Sequence, residues 1–105
     1  MHKLRHFAWL NLGVVQSLAS GVVSATDAIH VIYNVENCLY VRKHLQSKEA
    51  QEIMSRGVQL PDIFAALSVE EASREFLHEL EQMRALCMKL LDKKRAAGNP
   101  KRAAA

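Results

Sequence analysis

The sequence has few of the residues that mark the common structural frameworks and catalytic sites. It contains two cysteines, two prolines and four glycines in 105 residues, and only 6% of the residues are aromatic. Two cysteines are too few for a disulfide framework. We expect Cys38 and Cys87 to be free thiols in a cytoplasm, with a pair between them as the alternative in an oxidising compartment. The chain also lacks a phosphate-binding glycine loop and a metalloprotease motif, which argues against those enzyme classes.

The residues that are present favour one helical domain. Half of them are hydrophobic, which argues against disorder. Leu, Ala, Val, Glu and Lys dominate, as is typical of helical proteins. The net charge is +3, but up to Asp92 the chain has nine basic and eleven acidic residues. The basic excess therefore belongs to the C-terminal end, and the predicted domain is not a strongly basic body.

The clearest predicted helix runs from Ser68 to about Arg95. Ser68 and Glu71 have the spacing of a capping box, which satisfies free amides of the first turn. Acidic residues crowd the first turn and basic residues the last, as the helix dipole prefers. Apolar residues recur at helical spacing, at Val69, Ala72, Phe76, Leu80, Met83, Cys87 and Leu90.

We interpret the N-terminal segment as an amphipathic helix over about 3–20, ended by Gly21. Its main face consists of Leu4, Phe7, Ala8, Val14, Val15 and Leu18. The basic start, the apolar stretch and Val23-Ser24-Ala25 also have the outline of a secretory signal peptide, which is the alternative. Four polar residues interrupt the stretch, so it is poorly suited to cross a membrane, and we predict no membrane association.

The middle of the chain predicts shorter helices. Ser24 opens a helix that continues to about Asn34. Residues 35–46 either extend that helix or form an irregular crossing.

Ser47 then caps a helix over 48–56 that Gly57 closes. Pro61 opens another short helix, which ends near Leu67.

These segments predict an all-α fold, a compact bundle of about five helices in which short helices lie between long N- and C-terminal ones. Residues 1–95 form the single predicted domain. Gly98 and Pro100 mark the end of the last helix, and residues 96–105 are predicted to be a flexible, basic and alanine-rich tail.

Two stretches resemble a small bacterial protein family of unknown function. They are Gly21-Val22-Val23-Ser24-Ala25-Thr26-Asp27-Ala28 and Gly57-Val58-Gln59-Leu60-Pro61-Asp62-Ile63. The family is similar in length and in having a helix before the first stretch. The resemblance implies a bacterial, soluble, helical protein, and it brings no activity or catalytic residues.

The five histidines form no recognisable metal or catalytic pattern. His2 and His6 are four residues apart on one helix side, but spacing places no third ligand. Cys38 and His44 are close in sequence without a fixed geometry, so they do not predict a nucleophile and base. We therefore expect no enzyme, no metal site and no cofactor.

Protein–protein interaction is the function that we predict. The first helix is apolar nearly all round, and such a helix is covered by its own chain or shared with another. The predicted interface consists of Phe7, Trp9, Leu10 and Leu12, with Trp9 as the anchor, and the partner is another protein or a second copy in a homodimer.

A nucleic-acid-associated regulator is the alternative. Residues 48–67 have the outline of a helix-turn-helix unit, although their second helix offers no side chain that reads a groove edge. The basic residues available to contact phosphates are Arg42, Lys43, Lys93, Lys94 and Arg95.

Overall fold

The computed structural model describes the backbone of residues 2–98 and the side chains of residues 3–92. The helices are α1 (His2–Ala19), α2 (Ala25–Val31), α3 (Val35–His44), α4 (Lys48–Ala66) and α5 (Val69–Gly98). No strand occurs in residues 2–98. The predicted all-α bundle of five helices is confirmed.

Short polar contacts set the helix starts, as the sequence predicts. The Ser24 hydroxyl accepts a hydrogen bond from the Asp27 amide at 3.0 Å, and the Asp27 carboxylate accepts one from the Ser24 amide at 3.3 Å. At the start of α5 the Ser68 hydroxyl accepts a hydrogen bond from the Glu71 amide at 3.3 Å, and it donates to the Glu71 carboxylate at 2.9 Å. Gly21 follows α1 with a φ of +80°, a left-handed conformation that glycine adopts without steric cost.

The stretch left open by the sequence, residues 35–46, contains a helix of its own. The Asn34 side chain accepts a hydrogen bond from the Asn37 amide at 2.9 Å and thereby caps α3. The Asn37 side chain donates to the Ile32 carbonyl at 3.0 Å, which ties the end of α2 to the start of α3. Two adjacent caps therefore turn the chain between α2 and α3.

The predicted division of residues 48–67 into two helices is wrong, because α4 is one continuous helix. Its buried stripe passes through Gly57 without interruption and consists of Ala50, Ile53, Met54, Gly57 and Leu60. A glycine in a helix costs only about 1 kcal/mol, and here it lies directly beneath the ring of Tyr33. Pro61 lies inside the helix, where it cannot donate to the Gly57 carbonyl. Continuous burial therefore outweighs two local helix breakers.

The core lies where α5 packs along both α1 and α4, while α2 and α3 pack on α4. Most of its side chains are aliphatic, but one buried polar pair crosses it. The Tyr33 hydroxyl donates to Asn11 Oδ1 at 2.9 Å, and the Asn11 amide donates to the Phe7 carbonyl at 3.0 Å. No buried polar side-chain atom among the described residues lacks a hydrogen-bond partner, so the pair links α1 to the end of α2 without leaving an unsatisfied group in the core.

The last helix extends beyond its predicted end. It reaches Gly98, so residues 96–98 continue α5, whereas residues 99–105 of the predicted tail lie outside the described part of the chain. No described helix is long and apolar enough to cross a membrane.

Candidate functional site

An apolar groove of about 340 Å³ lies between the first half of α1 and α3. It exists because the backbones of α1 and α3 do not approach each other in the described part of the chain, while each packs on other helices. Its lining residues are Lys3, His6, Phe7, Leu10, Ile32, Asn37, Tyr40, Val41, Leu45 and Met54. The groove therefore takes its apolar floor from α2, α3 and α4, and its walls from α1 and α3.

The floor of the groove is part of the protein core. Ile32, Val41 and Met54 are buried, and Leu45 packs against them. The rim is exposed: Leu10 is 58% exposed on α1, and Tyr40 is 45% exposed on α3. The site is thus a rigid, packed surface with two large apolar side chains left in solvent at its mouth.

Basic and aromatic side chains surround the mouth. Lys3 Nζ lies 5.8 Å from the centre of the Tyr40 ring, on the opposite wall, and the Tyr40 and His44 rings are 4.7 Å apart. Two of the described side chains that line the groove, Lys3 and His6, are basic types, and none of them is acidic. The groove therefore favours a ligand that is apolar in its centre and negatively charged at its edge.

The four residues predicted as an interface occupy different places. Phe7 and Leu10 line the groove, as an interface there requires. Leu12 is half-buried and packs against the core on another side of α1. Trp9 is 51% exposed just beyond the rim, with the Arg5 guanidinium 5.0 Å and the His6 ring 6.0 Å from its ring centres. Two of the four predicted residues therefore line the groove, and the interface itself stays a prediction.

The residues of the opposite wall and of the floor were not predicted as part of a site. Asn37, Tyr40, Val41 and Leu45 recur at helical spacing, which is the signal that could have placed them on one face of α3. The floor residues Ile32 and Met54 look like ordinary core positions in the sequence. No local pattern indicates that a groove opens above them.

Of the five residues predicted for nucleic-acid contact, the structure describes the side chains of Arg42 and Lys43. Arg42 and Lys43 are exposed on α3, and Arg42 lies at a separate recess between α3 and α4. Lys93, Lys94 and Arg95 belong to α5, and their side chains lie outside the described residues. The helix-turn-helix outline over 48–67 is absent because α4 is continuous.

The cysteines are free thiols in environments that disfavour the reactive thiolate. Burial raises the pKa of Cys87 to about 11. Burial also raises the pKa of Cys38, with the nearby Arg42 acting in the opposite direction. Cys38 and His44 are six residues apart on α3, so they point to different sides of it. Among the described residues, no three His, Cys, Asp or Glu side chains cluster as metal ligands do.

Nearly the whole chain matches one protein family. Residues 4–103 match the family described as protein of unknown function (DUF3969). The chain belongs to this family. The match includes both stretches, at 21–28 and 57–63, on which the sequence resemblance rests, and the prediction of an uncharacterised family is confirmed. No curated protein and no solved structure matches the chain.

Proposed function

We propose that this DUF3969 protein is a protein–protein interaction module of the bacterial cytoplasm, without catalytic function, and that it binds its partner at the groove between α1 and α3. The observation that carries the proposal is the pair of exposed apolar side chains, Leu10 and Tyr40, at the mouth of a groove with a packed apolar floor. Burying one such side chain completely contributes about 1.5–3 kcal/mol. Because Leu10 and Tyr40 are 58% and 45% exposed, a partner that covers the mouth gains roughly half of this free energy for each.

The surroundings of the groove support a macromolecular partner. Trp9 lies next to the rim and remains half exposed, and tryptophan is enriched among the residues that dominate binding free energy in interfaces. A small molecule within the groove would leave Trp9 and much of Leu10 in water. Another protein covers the groove and its surroundings together, and a second copy of this chain is one such partner. The two free thiols support a reducing cytoplasm.

The test is a tagged pull-down from the native host with three forms of the chain. The wild type is compared with Leu10→Glu at the rim and with Leu77→Glu on α5, which is 55% exposed and therefore a matched control. Circular dichroism first establishes that both variants fold. We expect a protein that is retained after nuclease treatment by the wild type and by Leu77→Glu, but lost with Leu10→Glu.

Two results would contradict the proposal. If the captured protein binds Leu10→Glu as well as the wild type, the groove is not the interface. If nuclease abolishes capture, the nucleic-acid alternative with the exposed Arg42 and Lys43 replaces it, and binding should then weaken steeply with salt.

A further inference from the structure

The charge of this protein is divided between its two halves. Residues 2–47, which form α1 to α3, contain four basic and two acidic residues, together with four of the five histidines. Residues 48–92 contain five basic and nine acidic residues. The first acidic residue of the chain is Asp27, so α1 has none. The groove therefore opens on the basic half of the molecule.

Two basic side chains line the groove itself. Lys3 and His6 belong to its lining, and Lys43 and His44 are exposed on the α3 side. Glu36, one helical turn before Tyr40, is the only acidic residue of α3. A ligand with carboxylates beside its apolar part would find opposite charge on the α1 wall, where Lys3 and His6 line the groove.

The length of the groove matches two turns of a helix. Its α1 wall runs from Lys3 to Leu10, which is about two helical turns or roughly 10 Å. An amphipathic helix that binds in a groove uses apolar residues at positions i, i+3 or i+4, and i+7, which span the same length. Two turns of such a helix would place its apolar stripe over the floor and its polar edges beside the basic rim.

A second copy of this chain is a poor occupant of the groove. A two-fold contact through the same surface would place this basic surface against a second copy of itself, and like charges oppose such a contact. The acidic helix α5 does not offer the required stripe either, because its regular apolar face is in the core. Its exposed large apolar residues in the described part, Val69, Leu77 and Met88, are eight and eleven residues apart.

We propose that the groove between α1 and α3 binds an acidic amphipathic helix of a different protein. The helix inserts apolar side chains at i, i+3 or i+4, and i+7 between Leu10 and Tyr40, and its carboxylates lie near Lys3 and His6 on the α1 wall. This inference rests on the proposed function and specifies the chemistry of the partner.

The test is a selection from a display library of helical peptides. All members share a leucine stripe at i, i+3 and i+7, and each outward position is Glu, Lys or Gln at random. The selected peptides are synthesised, and their affinity is measured from the emission of Trp9, the single tryptophan of the chain, which lies beside the rim. Light scattering of the protein alone reports its oligomeric state, and phosphatidylglycerol vesicles test a membrane surface as an alternative ligand.

We expect the selected peptides to be rich in glutamate and the free protein to be a monomer. The variant Lys3→Glu should weaken binding about tenfold, since it removes a close charge partner. Arg84→Glu is the matched control, because Arg84 is exposed on α5 and pairs only weakly with Glu81 at 3.5 Å. Leu10→Glu should abolish peptide binding, and Leu77→Glu should leave it unchanged.

Several results would overturn the inference. They are the recovery of no peptide, peptides without an excess of glutamate, equal effects of Lys3→Glu and Arg84→Glu, a stable dimer that buries the groove, and tight vesicle binding that Leu10→Glu abolishes. The proposed function is judged separately by the host pull-down. If a captured protein depends on Leu10 while the library shows no glutamate excess, the groove is an interface and only the acidic helix is wrong.

Discussion

Replacing Gly57 by alanine should destabilise this protein, although alanine is the better helix former. A Cβ atom at this position would lie 2.5 Å from Tyr33 Cγ and 2.6 Å from both Cδ atoms, whereas ordinary contacts begin near 3.4 Å. The ring would therefore have to retreat by almost 1 Å. It is not free to do so, because its hydroxyl is held at 2.9 Å by the buried Asn11 side chain.

The expected magnitude follows from three opposing contributions. Overpacking a core position costs about 1–3 kcal/mol, and stretching the buried hydrogen bond costs about 1 kcal/mol more. The change from glycine to alanine inside a helix returns about 1 kcal/mol. The free energy of unfolding should thus fall by about 2 kcal/mol in Gly57→Ala, which corresponds to a drop in Tm of about 8–16 °C for a domain of this size.

Gly13→Ala is the control, because Gly13 also lies inside a helix but has no atom within 4 Å of the added Cβ. It should stabilise the protein by about 0.5–1 kcal/mol. Urea unfolding followed by circular dichroism measures both variants against the wild type. If Gly57→Ala unfolds at the same or a higher urea concentration than the wild type, the packing argument at Tyr33 is refuted.

Three further predictions concern the core and one ion pair. Asn11→Leu should cost about 1–3 kcal/mol in urea unfolding, because the Tyr33 hydroxyl loses its buried acceptor, and adding Tyr33→Phe should recover part of that loss. Arg56→Met should lower the free energy of unfolding by at most about 1 kcal/mol, because the two ion pairs of Arg56 lie near the surface. They join it to Glu52 on its own helix at 2.9 Å and to Glu79 on α5 at 2.8 Å. A loss of stability that is unchanged in high salt would contradict this. The Cys87 thiol has a pKa of about 11 in the fold, raised by burial, so stability should fall as the pH rises from about 8.5 towards 11, and Cys87→Ala should flatten that decline.

The sign of that pH dependence follows from proton binding. The folded state holds the thiol proton more tightly than the unfolded chain does. The contribution of Cys87 to stability is therefore complete below the pKa of an unfolded thiol, and it is lost as the pH rises through the pKa of the folded state. Burial raises the pKa of Tyr33 as well, which extends the decline to higher pH. The measurement is the free energy of unfolding across alkaline pH for the wild type and for Cys87→Ala. If it falls equally steeply with pH in both proteins, the reasoning is wrong.

Helix starts were predictable because they depend on neighbours in the sequence. Ser24, Ser47 and Ser68 each cap a helix through an amide three residues later, and that spacing is visible without any tertiary contact. The apolar stripes of α1 and α5 were predictable for the same reason, since a regular helix places every third or fourth residue on one face. The all-α class follows directly from these local features.

The continuity of α4 was not predictable from its own residues. Gly57 and Pro61 are helix breakers by their local preferences, and the sequence therefore predicted a turn between two helices. Tyr33, which is distant in sequence, packs its ring directly on Gly57. The ring occupies the space that a side chain at position 57 would need. Tertiary burial of the stripe that includes Leu60 compensates for the local cost.

The helical class, the helix caps and the family resemblance could be read from the sequence alone, and two residues of the predicted interface, Phe7 and Leu10, line the groove. The separation of α3 from α1, the position of Tyr40 opposite Lys3 and the position of Trp9 outside the groove follow from the packing of the whole chain. The physical reason is that caps and stripes depend on residues within a few positions of each other. A groove depends on which helices fail to pack, and that is a property of the whole arrangement.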